Sequence, residues 1–169
     1  MTVVPRTLPS PEVLDALAGR YPDVEPSAVQ ATLTLLQVAH ELSTVLERHF
    51  APFQLSRGRF TVLMLLRREL RGSSPAALAE AAGVKRPTMT GLLRALERSG
   101  LVVRRRHPDD HRSAVMSLAP KAHRLLDRVL PEHFRLQASL MSSLRPAERA
   151  ELARLLTQVR PQPCAGGAP

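Results

Sequence analysis

Gly83-Val84-Lys85-Arg86-Pro87-Thr88-Met89-Thr90-Gly91-Leu92-Leu93-Arg94-Ala95-Leu96-Glu97-Arg98-Ser99-Gly100-Leu101-Val102 is a turn, a helix and the start of a strand in one run. Gly100 stands just past the last periodic residue and suits the left-handed position that closes a helix, so the helix spans about 86–99. At about 100° per residue, Met89, Leu92, Leu93 and Leu96 gather on one side and must face a core. Opposite them lie Pro87, Gly91, Arg94 and Arg98, flanked by Arg86, Thr88 and Thr90. Beyond Gly100 the period changes. Leu101 to Arg106 and Ser113 to Leu118 are the two strand segments of the chain. Between them His107-Pro108-Asp109-Asp110-His111-Arg112 is rich in turn formers, which makes a β-hairpin with a charged tip.

Upstream, Ser74 followed by Pro75 is a helix start, a cap and then proline at the first helical position. The helix it opens, about 75–82, ends at Gly83. Short helix, tight turn, second helix, basic hairpin is the order of a winged helix-turn-helix, in which the second helix enters the major groove of a duplex. Residues 85–112 hold eight basic and three acidic side chains, a surplus of +5 out of +9 for the whole chain. The amino-terminal residues of such a helix touch base edges, which makes Arg86, Pro87, Thr88, Thr90 and Gly91 the candidate readers. Arg94 and Arg98 lie further along, nearer the phosphates, as does the Arg104-Arg105-Arg106 run. Lys85 stands at the helix start and supplies no capping oxygen.

Further out, the reading is helical. Leu fills 28 positions and Ala 21, aromatics are 3% and Trp is absent. That composition favours helices and excludes a large sandwich or barrel. Residues 1–26 carry five prolines and read as a flexible arm with a turn or two of helix near Glu12 to Ala18. Ser27 is the expected cap of a long helix running to about Phe50, with two overlapping apolar stripes. Ser56 caps a helix at about 57–70. Pro120 opens a long helix to about Leu140, again with two apolar stripes, and Pro146 opens a last one with Leu152, Leu155, Leu156 and Val159 on one face. A second stripe on a helix of a small domain expects a partner chain. The expected organisation is therefore a mainly α chain with one small β-hairpin. Residues 27–160 form a single domain, with dimerisation helices at 27–50 and 120–160 and a winged helix-turn-helix at 56–118, followed by a disordered tail at 161–169.

The charge agrees with a polyanionic partner. There are 22 Arg and two Lys, Lys85 and Lys121, against 15 acids, and the pI is near 11.4. Such a surplus points to nucleic acid before an anionic membrane. A GC-rich genome that encodes Arg and Ala freely is the bland alternative, but it would spread the charge evenly. No cationic segment followed by an apolar stretch opens the chain, and no apolar run approaches the ~18 residues of a membrane span. The expected setting is the cytoplasm, without membrane association.

The run 83–102 resembles the recognition-helix segment of the MarR (multiple antibiotic resistance regulator) family. The likeness continues through Asp109-Asp110-His111-Arg112-Ser113 and Val115-Met116-Ser117-Leu118 to Leu144-Arg145-Pro146-Ala147-Glu148, covering roughly 30–159. It implies a homodimeric, ligand-responsive transcription regulator, a repressor that reads a pseudo-palindromic operator in double-stranded DNA. It also implies that Asp110 and Arg112 are the family's wing pair, the arginine entering the minor groove and the aspartate holding it. The effector expected from the resemblance is a phenolic or other aromatic or anionic small molecule, bound between the dimerisation helices and the DNA-binding lobe. His40, Glu41, His49, His133 and Arg135 are the polar candidates there. Three departures stand out. Lys85 replaces a capping Ser or Thr, Gly91 a larger polar reader, and Ala119 and Ala122 the Thr and Gly that open the following helix.

Rival readings find less support. His107 and His111 have metal-ligand spacing only on a helix, which Pro108 opposes, so no metal and no cofactor are expected. Cys164 is a lone thiol in a Pro- and Gly-rich tail. No nucleophile–base pair, phosphate loop or carboxylate pair suggests an enzyme. The remaining alternative is a protein-interaction module reusing a winged fold, which salt-dependent duplex binding would separate from a regulator.

Overall fold

A computed structural model describes residues 7–69, 72–106 and 114–159. Two compact units divide the chain, Met1–His123 and Arg124–Pro169.

The first unit opens with α1, Pro11–Arg20. The amino-terminal segment was expected to be an arm with a turn or two of helix, yet α1 is ten residues long and buries Leu14 to 2% exposure. This helix, which the five prolines concealed, packs against α2 (Pro26–Phe50) with Leu14 as its buried residue. The cap of α2 also differs from expectation. Glu25, not Ser27, holds it: the carboxylate accepts from the Ala28 N–H at 2.7 Å and the Ser27 N–H at 3.3 Å. With Pro26 at the first helical position, Ser27 already lies inside the helix, and its hydroxyl donates to Glu25 at 2.7 Å.

A single 3-10 turn, Ala51–Phe53, ends at Gln54, whose φ is +55°. Ser56 then caps α3 (Arg57–Arg68) by accepting from the Arg59 N–H. Ser74 caps α4 (Pro75–Ala81) through the Ala77 N–H, and α5 spans Arg86–Arg98 without a side-chain cap at Lys85. Strands β1 (Val102–Arg106) and β2 (Ala114–Leu118) pair antiparallel, with Val102 opposite Leu118 and Arg106 opposite Ala114. Phe60, Leu63, Leu66, Leu78, Met89, Leu93, Leu96, Val102 and Met116 form the buried core of these elements. The rings of Phe50 and Phe60 stack at 4.4 Å between centroids.

One pairing escapes the sequence pattern. Ser73 exchanges two backbone hydrogen bonds of 2.9 Å with Met116, so β2 has a neighbour on each side. Gly72 makes this possible. Its φ is +82°, and a Cβ there would lie 2.5 Å from Val115 Cγ1 and 2.6 Å from the Met116 carbonyl oxygen.

Helix α6 (Pro120–Leu140) starts within the last residues of the first unit and continues into the second. Pro131 lies inside it and cannot donate to the carbonyl of Asp127. In the second unit Leu126, Val129 and His133 are buried, while Phe134 is 57% exposed. The last helix, α7 (Pro146–Gln158), begins where Glu148 accepts from the Arg145 N–H at 2.7 Å. No residue of α7 is buried; Leu152, Leu155 and Leu156 stand exposed on it, and Val159 is exposed just past its end.

Candidate nucleic-acid interface

Helix α5 is amphipathic in the sense its sequence demands. Met89, Leu93 and Leu96 are at most 4% exposed. Arg86, Pro87, Thr88, Thr90, Gly91, Arg94 and Arg98 are all exposed. The seven candidates on this helix therefore share its open side, and α3, α4 and β1 pack against the rest. Gly91 meets nothing within 4 Å of a Cβ position, so a larger side chain would fit there. The close approach of α5 to α3 occurs instead at Gly58, where a Cβ would touch Leu92 at 3.4 Å.

Thr90 is less free than exposure suggests. Its hydroxyl donates to the Arg86 carbonyl at 3.0 Å. The lone pairs and the methyl group remain open to a ligand.

Arg104 and Arg105 of the basic run on β1 do not form one patch. Side chains alternate along a strand, which sends Arg104 and Arg105 to opposite faces. Arg104 lies opposite Met116 and lines a cleft of about 250 Å³ with Pro75, Thr90, Leu93, Arg94, Glu97 and Met116. Arg105 lies opposite Val115 and is exposed on the other face. Arg106 ends β1. The fold thus brings Arg94 and Arg104 to one cleft, 10 positions apart in sequence. Glu97, counted in the sequence only as an acid, lines it too; its place one turn after Arg94 was the available signal.

Asp110 and Arg112 lie outside the described residues, as do His107, His111 and Cys164. Of the effector candidates, His40 and Glu41 are exposed on α2, where Gln37 donates to Glu41 at 3.0 Å. His49 is half-buried with its ring 5.9 Å from that of Phe53. His133 is buried and Arg135 exposed on α6. None of the five lines the cleft at Arg94 and Arg104. Among the described residues, no group of three His, Cys, Asp or Glu side chains is placed to hold a metal ion, and no helix is long and apolar enough to cross a membrane.

A short brace helix, a second helix with an open basic side and a two-stranded hairpin define a winged helix-turn-helix protein. The sequence profile of the MarR family matches residues 55–114, which run from the capped start of α3 to the first residue of β2. The chain is 31% identical to the HTH-type transcriptional repressor YetL of Bacillus subtilis (strain 168) over 151 residues, 88% of this chain and 90% of YetL. It is likewise 31% identical to the HTH-type transcriptional regulator PecS of Dickeya dadantii (strain 3937), over 81% of this chain and 82% of PecS. Among solved structures it resembles the transcriptional repressor CouR bound to a 23-mer DNA duplex, with a TM-score of 0.69 and 30% identity, over 75% of this chain and 89% of that one. The chain belongs to the MarR family.

Proposed function

We propose that this protein is a homodimeric transcription regulator, a ligand-responsive repressor that binds double-stranded DNA in a sequence-specific way. The observation that carries the reading is the open side of α5, where Arg86, Thr88, Thr90, Arg94 and Arg98 are exposed while Met89, Leu93 and Leu96 are buried. Such a helix offers donors and acceptors to base edges at its amino end and cations to phosphates further on. Arg104, beside Arg94, extends the cationic surface onto the hairpin. On the family's pattern, Arg112 is assigned to the minor groove and Asp110 to holding it. The likeness to a repressor bound to a DNA duplex supports the same docking.

The dimer reading rests on apolar surface. Leu152, Leu155 and Leu156 of α7, Val159 just past its end, and Leu36 and Val38 of α2 are each 37–61% exposed. Exposed apolar side chains near both ends of one chain suit a second copy. A small aromatic or anionic effector and a cytoplasmic setting complete the proposal, supported by family membership.

In vitro selection from a pool of randomised duplexes tests the function. Enrichment of a two-fold pseudo-palindrome is the expected result. Binding that depends on salt but enriches no sequence contradicts it, and absence of duplex binding favours the interaction-module reading.

A further inference from the structure

The carboxyl end of α5 is fastened to the first turn of α6. Lys121 Nζ donates to the Ser99 carbonyl at 2.8 Å, and the Ala119 N–H donates to the Leu101 carbonyl at 3.0 Å. The last carbonyls of a helix lack partners within it and lie at the negative end of its dipole, so a cation there is doubly favoured. At α5 the backbone meets the neighbouring acceptors: Ser99 N–H donates to Ala95, Gly100 N–H to Glu97 and Leu101 N–H to Leu96. Gly100, at φ +69°, allows this closure. The Ser99 carbonyl is left to Lys121. In a chain that uses arginine at 22 of 24 cationic positions, lysine stands here. Its compact ammonium suits a single carbonyl, whereas a guanidinium fork suits two oxygens.

Building on the DNA-reading function proposed above, we infer that Lys121 is a positioning residue for recognition. It fixes one end of α5 so that the readers at the other end keep their aim. The lever is long enough to matter. A helix of 13 residues is about 20 Å long, so a tilt of about 5° about its carboxyl end moves Arg86 by about 1.7 Å. That displacement exceeds what a base-edge hydrogen bond tolerates. Contacts to phosphates, which are flexible and carry no sequence information, survive it better.

Lys121→Met and Lys121→Arg, compared with wild type on the selected operator and on a scrambled duplex, test the inference. Lys121→Met is expected to reduce the operator-to-scrambled affinity ratio about tenfold, the loss of one good base contact, with the salt slope on scrambled DNA unchanged. Lys121→Arg, which keeps a donor but offers a fork to a single carbonyl, should recover only part of the ratio. Arg124→Met, which removes a charge one turn along without touching Ser99, controls for charge. Equal weakening of both duplexes with a slope smaller by about 1 would make Lys121 a phosphate contact and overturn the inference. A wild-type protein that selects no operator would instead sink the functional reading. In that event hydrogen exchange in the free protein still decides the strap: Lys121→Met should speed exchange at the Gly100 and Leu101 amides, and unchanged rates overturn it.

Discussion

The Thr90 hydroxyl and the Arg86 carbonyl are joined by a 3.0 Å hydrogen bond across one turn of α5. Because that bond uses the only hydroxyl proton, Thr90 can face a base solely as an acceptor or through its methyl group. Thr90→Val keeps the shape and the methyl group. It is expected to cost about 1 kcal/mol on the selected operator and nothing on scrambled DNA. Fluorescence anisotropy on the two duplexes measures it, and equal losses on both would place Thr90 on the backbone.

On the proposed docking, Arg98 and Arg105 contact phosphates. Replacing either by Ala should weaken all duplexes alike and reduce the magnitude of the slope of log K against log salt by about 1. A salt titration reads this directly. Loss of sequence preference at constant slope would reverse the assignment and the orientation of α5 with it.

Gly72→Ala tests the strand pairing that braces the hairpin. A Cβ at 2.5–2.6 Å from Val115 and Met116, on a backbone with φ +82°, forces Ser73 away from Met116. The expected loss is about 2–3 kcal/mol in urea unfolding followed by circular dichroism. A change within about 0.5 kcal/mol, the range of an ordinary surface substitution, would contradict the geometry.

Glu25 makes the amino end of α2 sensitive to acid. The Ser27 hydroxyl first, and then the Ala28 N–H, hold its carboxyl below the usual glutamate range. A group depressed in the folded state contributes stability that is complete above its unfolded value, about 4.3, and is lost as pH falls through the lower folded value. The Ser27 and Ala28 amide resonances should therefore shift together below pH ~4, and Glu25→Gln should abolish the shift. Amides that titrate identically in the Gln variant would remove Glu25 as the cap.

Much of this architecture is legible in local signals. Ser56, Ser74, Pro75 and Gly100 mark helix ends because capping chemistry is local, and the α5 wheel fixes its buried side because the period is regular. What escaped the sequence depends on partners distant along the chain. Ser73 meets Met116 across 43 positions, and Lys121 meets Ser99 across 22. Neither has a period to betray it. Helix α1 was concealed differently: Pro9, Pro11 and Pro22 read as breakers, yet Pro11 occupies the first helical position, where proline costs nothing. Glu25 was overlooked because Ser27, the better cap by type, stands two residues later. At the interface, the alternation that separates Arg104 from Arg105 follows from the strand itself. The meeting of Arg104 with Arg94 needed the hairpin's docking against α5.

The central claim, a dimer reading two half-sites with α5, is tested most directly by hydroxyl-radical footprinting on the selected duplex, with the stoichiometry of the complex measured alongside. Two chains per duplex are predicted, each of 18.6 kDa. The two protected patches should be related by two-fold symmetry, with centres about one helical turn apart. A single patch occupied by one chain, or uniform protection along the duplex, would contradict it.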